Sequence, residues 1–234
     1  MKHIAAAAIL IATLFQSYAD TPGNPRVVPF DSDAATGLSS NKVYTHAVDF
    51  GNIVHEKPLS INGVEFFTTA AANMTGDKTP RGCGWENFPP NPNHPDPEKT
   101  MLAISTPAGE NVRDLLLGHT WGLANKVMRL TDLKPGSEYE LRIFNRVYGG
   151  GRKRGCTFIF IPDEDDENSP RVVFSYNQDD QSVKDNMIVY RYRAGASGKL
   201  GIYMEPWDTV YTWHAYGFTN EELPRNTGSD DNVR

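Results

Sequence analysis

Three tryptophans and a tyrosine fall outside every strand that the sequence suggests, each among turn-forming residues. Trp85 sits in the proline-rich stretch GWENFPPNPNHPDPE (84–98), Trp121 follows a short helical signal, Tyr148 opens a glycine loop, and Trp207 lies in MEPWDTV. Indole and phenol faces can cover the C–H patches of a pyranose while nearby polar groups select the isomer, so loop aromatics are what a sugar-binding surface requires. The same rings can instead close the ends of a hydrophobic core. For Trp121 and Trp207 core closure is the preferred reading, and for Trp85 and Tyr148 the two stand level. Trp213 falls within a strand signal and is assigned to the core.

Charge is concentrated in two places. Arg146, Arg152, Lys153 and Arg154 surround the glycines 149–151. An arginine fork matches carboxylate or sulfate, so this loop could grip an acidic sugar; a solvated turn that offsets nearby acids is the plainer reading. A phosphate loop is not indicated, because no Gly-Lys-Ser/Thr follows. The run DEDDEN (163–168), with Asp179 and Asp180 further on, offers hard oxygen ligands for a structural calcium ion, although its spacing fits no EF-hand. A solvated hairpin loop is the preferred reading there. No other cofactor is expected. The histidines form no His-Glu-x-x-His pair and GASG (195–198) is not a nucleophile elbow, so the catalytic signal is weak. A two-carboxylate glycosidase stays open, because its residues are set by distance in space.

The compartment follows from the start of the chain and from its cysteines. MKHIAAAAILIATLFQSYAD carries a basic residue, an apolar run and a small-x-small site, the pattern of a secretory leader cleaved after Ala19. No later stretch has the length of a spanning helix, and the expected location is secreted or periplasmic, with peripheral attachment to the cell surface as a variant. The formal net charge is −6; loss of Lys2 leaves 22 basic against 29 acidic side chains, about −7, which argues against nucleic acid or anionic lipid as partner. Cys83 and Cys156 are the two cysteines of the chain. In an oxidising compartment they are expected to pair, closing a loop worth roughly 4 kcal/mol and bringing the proline loop against the end of the glycine loop.

Positioning such loops requires a rigid frame. Sixteen prolines and twenty glycines punctuate short runs rich in Val, Ile, Phe and Tyr, which reads as all-β. Strand signals fall at 42–50, 61–69, 99–105, 123–130, 138–147, 157–161, 171–176, 186–193, 199–204 and 209–218, with one short helix at 109–118. Over 138–143, Tyr139, Leu141 and Ile143 share one face and Glu138, Glu140 and Arg142 the other. The expected fold is a two-sheet antiparallel β-sandwich, jelly-roll or immunoglobulin-like, spanning 42–222 after an N-terminal extension (20–41) and before a disordered tail (223–234).

Two resemblances refine this. LTDLKPGSEYELRIF (130–144) resembles the turn before a tyrosine-corner strand of fibronectin type III modules. YTHAVDFG (44–51), INGVEF (61–66) and TWHAYGFTNEE (212–222), with the Pro-Gly strand between them, resemble uncharacterised galactose-binding-like jelly-roll modules of exported bacterial proteins. The second resemblance implies a jelly roll and a partner that is a glycan or a cell-surface protein. The expected site is Trp85, Tyr148, Arg152, Arg154 and Trp207, on loops joined by Cys83–Cys156. A structural or interaction module of the envelope and a small glycoside hydrolase are the alternatives.

Overall fold

The computed structural model describes residues 23–51, 58–68, 83–86 (side chains of 84–86 excepted), 104–119, 125–147, 153–179, 184–208, 211 and 213–225. The described residues form a two-sheet β-sandwich with one short α-helix among them. The strands are β1 (Arg26–Pro29), β2 (Val43–Asp49), β3 (Ser60–Ile61), β4 (Val64–Glu65), β5 (Phe67–Thr68), β6 (Cys83–Glu86), β7 (Lys126–Leu130), β8 (Glu138–Arg146), β9 (Gly155–Ile161), β10 (Val172–Asn177), β11 (Asp185–Arg193), β12 (Leu200–Pro206) and β13 (Gly217–Glu222), with helix α1 at Asn111–Leu115.

One sheet has the order β1-β11-β8-β13-β2-β5, the other β10-β9-β12-β7-β6; β3 and β4 pair separately. From β7 onward the chain repeatedly crosses between the sheets, the path of a jelly roll. Among the described residues all pairings are antiparallel except β2 with β5. Alternation explains the core. Tyr139, Leu141 and Ile143 of β8 meet Phe158 and Phe160 of β9 and Ile202 and Met204 of β12 between the sheets. A second apolar layer, including Leu38, Ile61, Phe66, Val112 and Leu115, packs with Phe144 and Met187 from the opposite face of the six-stranded sheet. Glu140 and Arg142, on the face opposite Tyr139 and Leu141, are therefore buried as well. They are satisfied by an ion network in which Arg142 bonds Glu221 at 2.7 Å and also pairs with Glu140.

Helix α1 is too short to persist alone. Asp33 holds its start by accepting the Asn111 and Val112 N–H groups at 3.1 and 2.7 Å, which satisfies donors that a helix beginning leaves open. The Pro-Gly turn forms as expected: Gly136 has φ +75°, and the Ser137 N–H reaches the Lys134 carbonyl at 3.1 Å, as in a type II turn. The Lys134 N–H then donates to the Tyr139 hydroxyl at 2.8 Å, which is the tyrosine corner.

Several boundaries differ from expectation. Residues 26–29, inside the expected extension, form β1 and pair with β11. Residues 83–86, expected as loop, form edge strand β6 beside β7; the prolines that suggested a loop begin three residues later. The strand expected at 209–218 overlaps β13 at Gly217 and Phe218, and Trp213 is buried ahead of β13 rather than within it. The segments 1–22, 87–103 and 226–234 lie outside the described residues.

The expected disulfide is corrected. Both thiols are free. Cys83 is on β6 and Cys156 on β9, with β12 and β7 between them. Cys83 lies opposite Leu130, which pairs with Leu200, whereas Cys156 lies opposite Pro206. Three strand spacings and six residues of register put the two about 14 Å apart across the sheet and about 20 Å along it. A disulfide needs Cα atoms within about 7 Å. The number of cysteines carries no information on their separation, which is why the pairing argument failed.

Candidate functional site

The ends of β9 (Gly155), β10 (Asn177) and β12 (Pro206) lie side by side, because Asn177 pairs with Gly155 and Pro206 with Cys156. Burial alternates along β9. Cys156, Phe158 and Phe160 face the core, while Thr157 and Ile159 face outward. Gly155 shares that outer face, and Trp207 lies over it. A Cβ on Gly155 would fall 1.8 Å from Trp207 Cε3, so the bare backbone of this glycine is the seat of the indole. The Trp207 N–H of the backbone donates to the Gly155 carbonyl at 3.0 Å, and its indole Nε1–H donates to Thr157 Oγ1 at 2.9 Å. With one face packed and its polar edge satisfied, the residue still keeps 48 % of its surface exposed. Trp207 thus lies on the outer face of the sheet rather than over the end of the core.

The outer face continues away from Trp207 as rungs set by register. Glu205, Thr157 and Ser175 form one rung, and Tyr203, Ile159 and Val173 the next. Tyr203 donates its hydroxyl to Glu164 at 2.7 Å and has the Arg129 guanidinium 6.0 Å from its ring centre. Thr157, Gly155 and Tyr203 escaped the sequence reading. The alternation of GCTFIFI was the signal that could have placed the first two beside each other on one face.

Arg154 is adjacent to this platform but is not an open fork. Its Nη1 bonds Asp179 Oδ2 at 2.7 Å, both side chains are buried, and the guanidinium lies 5.6 Å from the centre of the Tyr211 ring. Breaking such a buried pair typically costs about 3–5 kcal/mol, so Arg154 acts first as a strut for the rim. Arg146, grouped with the glycine-loop cations in the sequence, is also buried and donates to the Leu116 carbonyl at 3.4 Å. Lys153 is exposed. Tyr148, Arg152 and Trp121 lie outside the described residues, as does the side chain of Trp85. Of the five expected ligand residues, Arg154 and Trp207 are therefore brought together around Gly155.

Beneath the rim is a buried polar layer. The His119 and His214 rings stack at 4.6 Å with planes 16° apart, and His119 also meets Tyr216. The His214 backbone is gripped on both sides by Gln178, whose Oε1 accepts its N–H at 3.0 Å and whose Nε2 donates to its carbonyl at 3.2 Å. Lys126 is buried nearby, and desolvation pushes its ammonium down to about 8. Burial also pushes the Cys83 thiol up to about 12 and the Cys156 thiol higher still.

The acidic run is spent on turn geometry. Asp163 accepts the Ala196 and Ser197 N–H groups, Glu164 pairs with Arg129, Asp165 with Lys199, and Asp166 accepts the Asn168 N–H. Among the described residues no group of three or more His, Cys, Asp or Glu could hold a metal ion. Two clefts open elsewhere, one of about 650 Å³ bordered by Lys42, Lys134, Glu222 and Arg225, the other of about 510 Å³ bordered by Pro162, Pro170, Val172 and Tyr190. Neither is lined by Arg154 or Trp207. Among the described residues no helix is long and apolar enough to cross a membrane.

No family and no curated protein matches the chain in sequence. Among solved structures, the chain is similar to the ANXUR1 extracellular domain from Arabidopsis thaliana, at 10 % identity and a TM-score of 0.47 over 78 % of this chain and 49 % of that one. It spans about half the length of that protein. It is also similar to the CBM22-1–GH10 modules of xylanase 10B from Clostridium thermocellum (10 %, TM-score 0.31, 56 % and 25 % covered). A third is an exo-β-1,3-galactanase from Phanerochaete chrysosporium (10 %, TM-score 0.29, 44 % and 22 % covered). At these identities the likeness is one of β-sandwich architecture alone, and it does not single out the galactose-binding class that the sequence motifs resemble.

Proposed function

We propose that this chain is an exported, non-catalytic β-sandwich that binds a glycan on the outer face of its five-stranded sheet, with Trp207 as the stacking platform. The observation that carries the reading is the seating of Trp207: one indole face is fixed on Gly155 by two hydrogen bonds while 48 % of the residue remains in solvent. A pre-ordered ring loses little freedom when a sugar stacks on it, so more of the contact energy appears as affinity. Export rests on the leader-like start of the sequence. The binding surface differs from the one that the cysteines suggested, since it is built on β9, β10 and β12 rather than on two bridged loops.

A glycan array of neutral and acidic oligosaccharides, followed by titration calorimetry of the best ligand, tests the proposal. Trp207→Ala is expected to weaken binding about tenfold or more, a loss of about 1.4 kcal/mol. Gly155→Ala, which keeps the indole but pushes it off its seat, is expected to weaken it as well. An array without binding, or affinity unchanged in Trp207→Ala, removes the reading.

A further inference from the structure

The tyrosines between the two sheets are satisfied unequally. Tyr139 accepts the Lys134 N–H, Tyr176 donates to Asn186, and Tyr192 donates to Asn220. Tyr190 is 3 % exposed and packs against Phe160 and Tyr192, yet among the described residues its hydroxyl has no hydrogen-bond partner. Burial raises its phenol to about 12, with no bond to oppose the rise. Buried phenol groups ordinarily find a partner. The same residue borders the cleft of about 510 Å³ that opens where the β9–β10 turn approaches Gly23 and Asn24, a size suited to a small molecule. Buried Tyr190 and Tyr192 and half-buried Val172 form its floor, with Pro162 and Pro170 beside them. The wall is fixed in place: the Asp163 N–H donates to Ser169 Oγ, and the Asp163 carboxylate accepts the Ala196 and Ser197 N–H groups.

We propose that this cleft binds an uncharged ring compound carrying one hydroxyl, a phenol or an aromatic alcohol, whose hydroxyl pairs with that of Tyr190. The lining selects this class. Arg191 and Arg193 also border the cleft, but with Tyr190 and Tyr192 turned inward they alternate to the other face of β11, where they pair with Glu140 and Glu138. Asp163 is spent on the turn, and Asp166 accepts the Asn168 N–H. Exposed Glu167 and Arg171 and the Asp165–Lys199 pair adjoin the turn and bring both signs of charge. A charged ligand would lose its hydration over an apolar floor without gaining a counter-charge. Asn24 and Asn168 are exposed and so lie at the mouth, which leaves the Tyr190 hydroxyl as the polar group of the floor. A sugar, with hydroxyls all round its ring, would leave most of them unpaired there. A ring with one hydroxyl matches an apolar floor with one.

Titration of the full chain with phenol and benzyl alcohol, followed by amide chemical shifts, provides the test; toluene, benzoate, benzylamine and glucose are the comparison probes. Phenol and benzyl alcohol are expected to shift the amides of 163–172 and 190–195. Toluene, which lacks the hydroxyl, is expected to bind about threefold to tenfold more weakly, and the charged probes and glucose more weakly still. Tyr190→Phe removes a hydroxyl without a protein partner, so the unliganded variant is expected to be at least as stable as wild type in urea. In that variant the advantage of phenol over toluene is expected to vanish, which isolates the pair of hydroxyls. Val172→Phe narrows the cleft and is expected to weaken every probe. Absence of binding by phenol and benzyl alcohol overturns the inference, as does a preference for phenol that survives Tyr190→Phe, or tighter binding of glucose, benzoate or benzylamine. Trp207→Ala is expected to leave these titrations unchanged, so the outcome is separate from that of the glycan array.

Discussion

Asp49, the last residue of β2, offers a sharp test of how burial sets charge at the rim. Its side chain is buried and its Oδ1 accepts the Gly51 N–H at 2.6 Å. Desolvation pushes the carboxyl from 3.8 up to about 7; the Gly51 hydrogen bond opposes this and the charge of Asp114 adds to it. A raised folded value means that the folded protein holds a proton the unfolded chain has already released. Between pH about 4 and about 7 the folded state therefore binds more protons, and stability falls as pH rises. The contribution is intact below the unfolded value, is lost through that window, and is flat above it. About three pH units at about 1.4 kcal/mol each set an upper limit of about 4 kcal/mol. Asp49→Asn keeps an oxygen acceptor for Gly51 and cannot ionise. Urea unfolding of both proteins at several pH values across the window gives the difference in stability, in which His119 and His214, common to both, largely cancel. The variant is expected to gain about 2–4 kcal/mol relative to wild type on going from acid to neutral pH. A difference that stays constant with pH would show that Asp49 ionises like an exposed carboxylate and would refute the argument.

Two further outcomes are expected. Tyr139→Phe removes the hydroxyl that accepts the Lys134 N–H and should cost about 1–3 kcal/mol in urea unfolding; a change near zero would mean that the corner bond is idle. Because burial raises both thiols, Cys83 and Cys156 should resist an aromatic disulfide reagent in the native protein and both should react in guanidinium. A peptide map containing Cys83 linked to Cys156 would contradict the placement of β6 and β9.

What was legible in the sequence is what local chemistry decides. The Pro-Gly turn and Tyr139 lie within a few residues of one another, and the alternation of 138–143 fixed the inward face of β8. Strands β1 and β6 were hidden because each has four residues and draws its order from a partner far along the chain, β11 or β7. The burial of the other face of β8 was not legible for a similar reason: Glu140 and Arg142 are charged, and the remote Glu221 and Arg191 make their burial tolerable. At the candidate site, Trp207 was singled out by its turn-forming surroundings, with core closure preferred, because its seat on Gly155 spans two strands. Arg154 looked like a free cation because Asp179, which neutralises it, reaches it through the pairing of β9 with β10. The cysteine pairing relied on compartment and count, and neither measures distance.

Strand β13 is inserted between β8 and β2, although it follows both in the chain. Residues 43–49 can therefore join the main body of their sheet only after residues 217–222 have been synthesised. The five-stranded sheet, by contrast, has all its members once residue 206 has been made. Assembly thus has a keystone: the sheet bearing Trp207 can form early, while its companion stays divided into two pieces until a late segment locks them together. Such long-range closure is slow, and a chain that stops before Gly217 is left as two halves with no seam.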